Sequence, residues 1–361
     1  MKLLLAPDAF KGSLSAVEAV SAMSAGIRSV MPDAEIVAMP LADGGEGTLD
    51  VLSAACGGAV YADRLVTEEG GGHFAVIESA RLIGLNRPEM QCDLFTRGSA
   101  RLGEALLSAL DAGLRDIRIA LGGSATLDGG LGMLSRLGCR VADGAGAPVS
   151  ADLNGMLKVV EVDPDGIDPR LKRARLSILS DVKNTLYGIQ GAVQMYGPQK
   201  GLRKDQMAKV ESAMQHWADV CEQAFGVSAH GAAGAGAAGG VGFALKLLGA
   251  ETVSGAQYVM HACGFEQAVA TADWVVTGEG RSDAQTLCGK LPAIVARKAR
   301  DHGVKCALIS GLVTDPAAMV QHFDSVIAAT PSDYPRDDII PDAAMLLQRA
   351  AAAWAEMIRQ V

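Results

Sequence analysis

Short apolar runs alternate with helical stretches at both ends of this chain and lose that rhythm in the middle, and no other feature narrows the fold as far. Lys2 to Ala6 reads as a strand ended by Pro7. A helix follows from about Ser15, with Val17, Val20, Met23 and Ile27 at helical spacing. Glu35 to Leu41 reads as a second strand and Gly44 to Ala55 as a second helix. Toward the other end, Trp274 to Thr277, Lys305 to Ser310 and Ser325 to Ala328 read as strands. Each is followed by a helix, at Pro292 to His302, Pro316 to His322 and Asp342 to Arg359.

The middle has a different grammar. Val60 to Thr67 and His73 to Glu78, on either side of Glu69-Gly70-Gly71-Gly72, read as an antiparallel pair around a glycine turn. Ser99 to Ala112 reads as a helix, and Ile117 to Leu121, Leu157 to Val162 and Leu176 to Leu179 as strands. Met207, Val210, Met214, Trp217, Cys221 and Phe225 form one helical stripe of core contacts. Five strand–helix units remain outside this region, the number a doubly wound parallel sheet of the flavodoxin-like kind requires. The expected fold class is therefore α/β: a discontinuous flavodoxin-like domain of residues 1–58 and 268–361, with a second α/β domain of residues 59–267 inserted after its second helix.

Composition sets the limits of function. A chain of 361 residues is long enough for two cores. Its 32 Lys+Arg against 41 Asp+Glu give a formal charge of −9, which argues against a broad face gripping nucleic acid. The apolar run Leu3 to Pro7 is too short for the core of a signal peptide. The uncharged stretch between Glu222 and Lys246 contains seven glycines and His230, and is read as loop and helix start rather than a membrane span. Seven scattered cysteines without C-x-x-C spacing suit reduced thiols in a cytoplasmic protein.

In open parallel sheets, ligands bind beyond the carboxyl ends of the strands, where loop amides and helix starts converge. Three polar turns fall at such positions: Asp8-Ala9-Phe10-Lys11-Gly12-Ser13, Asp43-Gly44-Gly45-Glu46-Gly47 and Gly278-Glu279-Gly280-Arg281-Ser282-Asp283. Each alone also reads as a capped turn, with Ser13 as a helix cap. In a 2-1-3 strand order the three are neighbours, gathering Asp8, Asp43, Glu46, Glu279 and Asp283 with Lys11 and Arg281. Carboxylates so crowded call for a hard cation, Mg²⁺ where phosphate is also a ligand.

The inserted region carries matching pieces. Gly122-Gly123-Ser124-Ala125-Thr126 follows a strand and precedes Asp128-Gly129-Gly130, a place for an anion nest of backbone amides. Lys200 lies in the turn Gly197-Pro198-Gln199-Lys200-Gly201, and Asp181 and Asn184 lie at a strand end. Gly234 to Gly239 matches the dinucleotide fingerprint, but a long helix precedes it where a strand is required. That string is the sole support for an NAD-dependent dehydrogenase of a small hydroxy acid. A non-catalytic metabolite-binding protein using the same loops is the other alternative. Six dispersed histidines and the lack of G-x-x-x-x-G-K-[ST] leave zinc, His-based nucleophiles and the P-loop without residues to carry them.

Taken together, Asp8 to Ser13, Leu41 to Gly47, Gly122 to Gly130, Gly197 to Gly201, Gly234 to Gly240 and Thr277 to Thr286 resemble the type I glycerate kinases in order and approximate spacing, over essentially the whole chain. The resemblance implies a flavodoxin-like domain carrying an inserted, restriction-endonuclease-like α/β domain, with ATP and D-glycerate bound in the cleft between them. It implies phosphorylation at the 2-hydroxyl. The sequence departs from the pattern at Ala9, at Arg101-Leu102-Gly103-Glu104, at Lys183 and Thr185 around Asn184, and in a shortened Thr67 to His73 segment.

Phosphoryl transfer asks a protein to position its reactants and to neutralise charge. On that basis Lys11 and Lys200 are expected at phosphates, and the amides of Gly122, Gly123, Ser124, Ala125 and Thr126, with Gly44 and Gly45, at the nucleotide. Glu279 and Asp283 are expected at Mg²⁺, directly or through water. Arg281, Asp8 and Asn184 are expected at glycerate, Arg281 as a two-pronged clamp on its carboxylate. Asp181 or Asp43 is expected to accept the hydroxyl proton.

Overall fold

Leu3, Leu4 and Leu5 are fully buried, as an unbroken apolar run must be in a strand covered on both faces. They belong to β1 (Lys2–Leu5), which leads into α1 (Ala16–Val30), β2 (Glu35–Ala38) and α2 (Thr48–Cys56). The computed structural model describes residues 1–69, 72–287, 289–335, 337 and 339–360. Gly70 and Gly71, the centre of the expected glycine turn, lie outside the described residues, as does Cys288. The chain divides into two compact units, one of residues 1–43, 50–56 and 256–361 and the other of residues 44–49 and 57–255.

The cap of α1 is Ser15 rather than Ser13. Ser15 Oγ accepts from the Glu18 amide at 3.2 Å and the Ser15 amide donates to Glu18 Oε2 at 2.8 Å, a reciprocal capping box. Ser13 Oγ instead donates back to the Phe10 carbonyl. Starting the helix there turns Ala16, Ala19, Val20, Met23 and Ile27 inward and leaves Val17 49% exposed, so Val17 is not a core residue. The second strand stops at Ala38, three residues early. The second helix starts at Thr48, because Gly44 and Gly47 adopt φ of +89° and keep the preceding turn out of the helix.

The second unit continues with β3 (Ala59–Val60), β4 (Leu65–Glu69), β5 (Gly72–Glu78), α3 (Ser79–Ile83), α4 (Ala100–Asp111), β6 (Asp116–Ala120) and α5 (Leu131–Arg136). After these come β7 (Arg140–Ala142), α6 (Leu153–Met156), β8 (Glu161–Asp163), β9 (Arg175–Leu179), α7 (Ala192–Tyr196), α8 (Lys204–Phe225), α9 (Val241–Leu247) and β10 (Glu251–Val253). Its sheet runs β10-β9-β6-β5-β4-β3, parallel from β10 to β5 and antiparallel beyond. The single strand expected at Val60 to Thr67 is two, because a turn closed by the Tyr61 amide on the Arg64 carbonyl reverses the chain. The strand expected at Leu157 to Val162 begins only at Glu161, since Leu157 still caps α6. The stripe on α8 packs as anticipated: Val210, Met214, Trp217 and Cys221 are fully buried, with Met207 and Phe225 at the edges of the same core.

The chain then returns to the first unit through α10 (Gly255–Ala262), α11 (Phe265–Val269), β11 (Trp274–Thr277), β12 (Arg281–Ser282), α12 (Ala284–Leu287) and α13 (Leu291–Asp301). It ends with β13 (Lys305–Ser310), β14 (Leu312–Val313), α14 (Pro316–Met319), β15 (Ser325–Ala328) and α15 (Ala343–Arg359). The five-stranded sheet is parallel throughout, in the order β15-β13-β11-β1-β2. The order reverses between β1 and β11, the switch point where a doubly wound sheet opens a crevice. On one face α1 packs against α15 so closely that a Cβ on Gly26 would lie 2.1 Å from the Gln348 carbonyl oxygen. Trp354 fills the adjoining core and meets Trp274 edge to face at 5.5 Å. Among the described residues no helix is long and apolar enough to cross a membrane.

Candidate active site

At the carboxyl edge of the first unit's sheet the turns after β1, β2 and β11 are tied together by their backbones. The Asp8 amide donates to the Gly278 carbonyl at 2.9 Å and the Leu41 amide to the Pro7 carbonyl at 3.0 Å. Asp8 takes the full effect of this convergence. Removal from water, the charge of Asp43 and that of Glu279 drive its carboxyl well above the ordinary range, against the opposing pull of the Ala9 amide and Lys290. The three turns expected to be neighbours are neighbours in charge as well as in topology.

Glu279, expected at the metal, is 7% exposed, and both of its oxygens are engaged by the protein. Oε1 accepts from Ser282 Oγ at 3.1 Å and from Thr286 Oγ1 at 2.5 Å, while Oε2 faces the Lys290 ammonium at 3.2 Å. Ser310 Oγ, at the end of β13, accepts from the Glu279 amide and lies 2.8 Å from Ser282 Oγ. Asp283 Oδ1 accepts from the Gln285 amide, which starts α12. Arg281 is exposed, with Nε 3.8 Å from Asp283 Oδ2, and Lys11 is exposed. Among the described residues, no three His, Cys, Asp or Glu are grouped to hold a metal ion. Sequence reasoning missed Lys290, Ser282, Thr286 and Ser310. The signal was present for Ser282 and Thr286, which sit three and seven residues after Glu279, but nothing local announces Lys290 or Ser310.

The corresponding edge of the second unit is built from the turn 44–47 and the ends of β6, β9 and β10. A Cβ on Gly44 would lie 2.6 Å from the Leu179 carbonyl oxygen, and one on Gly122 would lie 2.5 Å from the Gly45 Cα. These glycines are required by the close approach of three backbones. Glu78, a residue the sequence analysis passed over, receives the amides of Gly47 and Leu49 on its two oxygens. Asp181, just past β9, accepts from Ser254 Oγ at 2.6 Å.

Lys200 is buried, at 4% exposure, with Nζ donating to Ser124 Oγ at 3.0 Å and to the Thr126 carbonyl at 2.7 Å. It therefore stands behind the loop 122–126 and braces it. Two of that loop's amides already have partners within the unit: Gly122 donates to Ser79 Oγ and Ala125 to the Ile83 carbonyl. The stretch that follows gathers its donors on a carboxylate of its own. Gly130 and Gly132 amides and both Ser99 donors converge on the Asp128 carboxylate. Burial still raises the Asp128 carboxyl above its ordinary value in spite of these bonds. Asn184 is bound into its own loop, donating to the Gln190 carbonyl and accepting from Tyr196 OH at 2.6 Å. The glycine string at 234–239 is buried between loops, and a Cβ on Gly239 would strike the Thr126 carbonyl oxygen. It follows α8 and serves packing, which removes the one feature that favoured a dinucleotide.

The family model described as the glycerate kinase family matches residues 3–359. A glycerate kinase of Bacillus subtilis (strain 168) is 38% identical, the match covering 99% of this chain and 98% of that protein. A glycerate 2-kinase of Escherichia coli (strain K12) is also 38% identical, over 92% of this chain and 91% of that one. A crystal structure from Salmonella typhimurium LT2, assigned to glycerate kinase 2, superposes with a TM-score of 0.77 at 34% identity, covering 100% of this chain and 98% of the other. The chain belongs to the glycerate kinase family and is a kinase that phosphorylates glycerate with ATP as the donor.

Proposed function

We propose that this enzyme transfers the γ-phosphoryl group of ATP to the 2-hydroxyl of D-glycerate. The observation that carries the 2-position is the similarity to the glycerate 2-kinase of Escherichia coli over nine-tenths of both chains. The catalytic work is divided by charge. In the second unit the loop 122–126, braced by Lys200, and the turn at Gly44 and Gly45 offer backbone amides to the nucleotide phosphates, where preorganised donors stabilise developing charge. Asp181, oriented by Ser254, accepts the proton of the attacking hydroxyl. In the first unit Lys11 and Arg281, both exposed, meet anionic oxygens of the substrates, Arg281 by two parallel hydrogen bonds to the glycerate carboxylate.

Mg²⁺ fits the donor set. Asp8 and Asp43 are oxygen ligands whose mutual repulsion a divalent cation relieves, and a cation carried in on ATP needs only one or two protein carboxylates. Bound there, it supplies charge neutralisation of the phosphates. Glu279 Oε1 already accepts from Ser282 and Thr286, and Oε2 pairs with Lys290. Free, scattered thiols and an ATP substrate support a cytoplasmic location for this activity.

The test is the identity of the product. Incubated with ATP, Mg²⁺ and D-glycerate, the enzyme is expected to give a product that enolase converts directly to phosphoenolpyruvate. A product that enolase accepts only after phosphoglycerate mutase is added would move the reaction to the 3-hydroxyl.

A further inference from the structure

Lys290 lies in the segment between α12 and α13, outside the three turns that first drew attention, yet its side chain reaches the middle of them. Its Nζ is 3.2 Å from Glu279 Oε2, and its charge acts on Asp8 in opposition to Asp43 and Glu279. Two features separate this pair from an ordinary surface salt bridge. The first is the rigidity of the carboxylate. Glu279 is held by Ser282 and Thr286, and Ser282 in turn by Ser310, all three hydroxyl residues being fully buried. A carboxylate so fixed sets the position of whatever cation it pairs with, because the partner gives up rotational freedom while the carboxylate has none left to give up. The second feature is asymmetry of exposure. The Glu279 side chain is 10% exposed and that of Lys290 is 37% exposed. An ammonium group has three donors. One is directed to Glu279, and the exposure of the side chain leaves room for a ligand at the others, on an edge where Asp8 and Asp43 lie beside the cations Lys11 and Arg281.

A negatively charged substrate approaching that edge meets repulsion from the acids unless a cation is fixed among them. We propose that Lys290 binds an anionic oxygen of one substrate, a phosphate of ATP or the carboxylate of glycerate, with Glu279 acting behind it as a positioning residue. The inference rests on the phosphotransfer reading above, and wild-type turnover with ATP and D-glycerate tests that reading separately. Lys290 would touch substrate. Glu279 would not, and its removal should be felt through the lysine.

The experiment compares Lys290→Met, Lys290→Arg, Glu279→Gln and the double variant Lys290→Met/Glu279→Gln. Each is measured for kcat, for KM of ATP and of D-glycerate, and for calorimetric binding of each substrate alone. Lys290→Met is expected to raise KM and the dissociation constant of one substrate at least tenfold, with less than a twofold change for the other; its melting temperature should fall, since the variant also removes the cation facing Glu279. A rise confined to ATP identifies phosphate as the partner, and one confined to glycerate identifies the carboxylate. Lys290→Arg should recover part of the loss. Glu279→Gln keeps an oxygen for Ser282 and Thr286 but turns an amide toward the ammonium, so it should weaken the same substrate. Combined with Lys290→Met it should add less than twofold. Two results would overturn the proposal: Lys290→Met binding both substrates within twofold of wild type, or the two single-variant losses multiplying fully in the double variant.

Discussion

At the carboxyl ends of its strands the first unit brings Asp8, Asp43, Glu279 and Lys290 together, and the second buries Lys200, which donates to Ser124 Oγ and the Thr126 carbonyl, while enclosing Asp128 in amides and a hydroxyl. Both edges arise from parallel strands ending together. They differ in what the loops do with charge. In the second unit Asp128 and Lys200 are held by several hydrogen bonds each, so they stiffen the loops they join. In the first unit, burial first and then the charges of Asp43 and Glu279 raise the proton affinity of Asp8. On the proposed reading, one edge is a scaffold for backbone donors and the other a cluster of acids and cations that meets the ligands.

The comparison is most exposed at Asp181. If it accepts the hydroxyl proton, Asp181→Asn should lower kcat by about 10²–10⁴-fold with KM for ATP little changed. Turnover near wild type at saturating substrate would return the role to Asp43. Lys200→Met tests whether the second edge is a scaffold. The Ser124 hydroxyl and Thr126 carbonyl lose their donor, and the expected cost is about 1–3 kcal/mol of stability, seen as a lower melting temperature together with weaker ATP binding. Unchanged stability with weaker ATP binding would instead make Lys200 a direct phosphate ligand.

Asp8→Asn tests the imbalance of the first edge by its pH dependence. With its proton affinity raised on folding, the native protein holds more protons than the unfolded chain between the ordinary carboxyl pKa and the raised one. Stability therefore falls as pH climbs through that window. In metal-free buffer the variant should melt higher than wild type at pH 8 and show a much smaller gain at pH 4. An equal gain at both would mean that the raised proton affinity of Asp8, from burial and the neighbouring acids, is not the cause. The smallest effect is expected at Thr126, whose Oγ1 is buried without a hydrogen-bond partner. Thr126→Val removes an unsatisfied hydroxyl at nearly constant volume, so stability should stay the same or rise by up to about 1 kcal/mol. A loss of nucleotide binding in that variant would show that the hydroxyl has a partner in the complex.

Much of this was legible in the residues because it depends on short-range rules. Unbroken apolar runs such as Leu3-Leu4-Leu5 report strands buried on both faces, and five strand–helix units report a doubly wound sheet. The carboxyl ends of those strands mark where Asp8, Asp43 and Glu279 gather. Local misreadings arose where two rules competed for one residue. Ser13 and Ser15 both suit a helix cap, and only the reciprocal partner Glu18 settles which is used. Gly44 suits a helix start by position but is held at positive φ by the approach of Leu179.

The sequence by itself determined the kind of sheet, the polar turns at its edge and, through six motifs in register, the chemistry to be expected. Tertiary structure alone decided which polar atoms are satisfied within the protein and which remain for a ligand. Glu279 and Asp283 look equivalent as letters in one turn, yet one is enclosed by Ser282, Thr286 and Lys290 while the other starts a short helix. Asp128 reads as one more polar residue after a glycine-rich turn, yet it accepts from both Ser99 donors and from the Gly130 and Gly132 amides. The physical reason is that the state of a carboxylate depends on water exclusion and on donors brought from distant segments, and neither is encoded in its immediate neighbours.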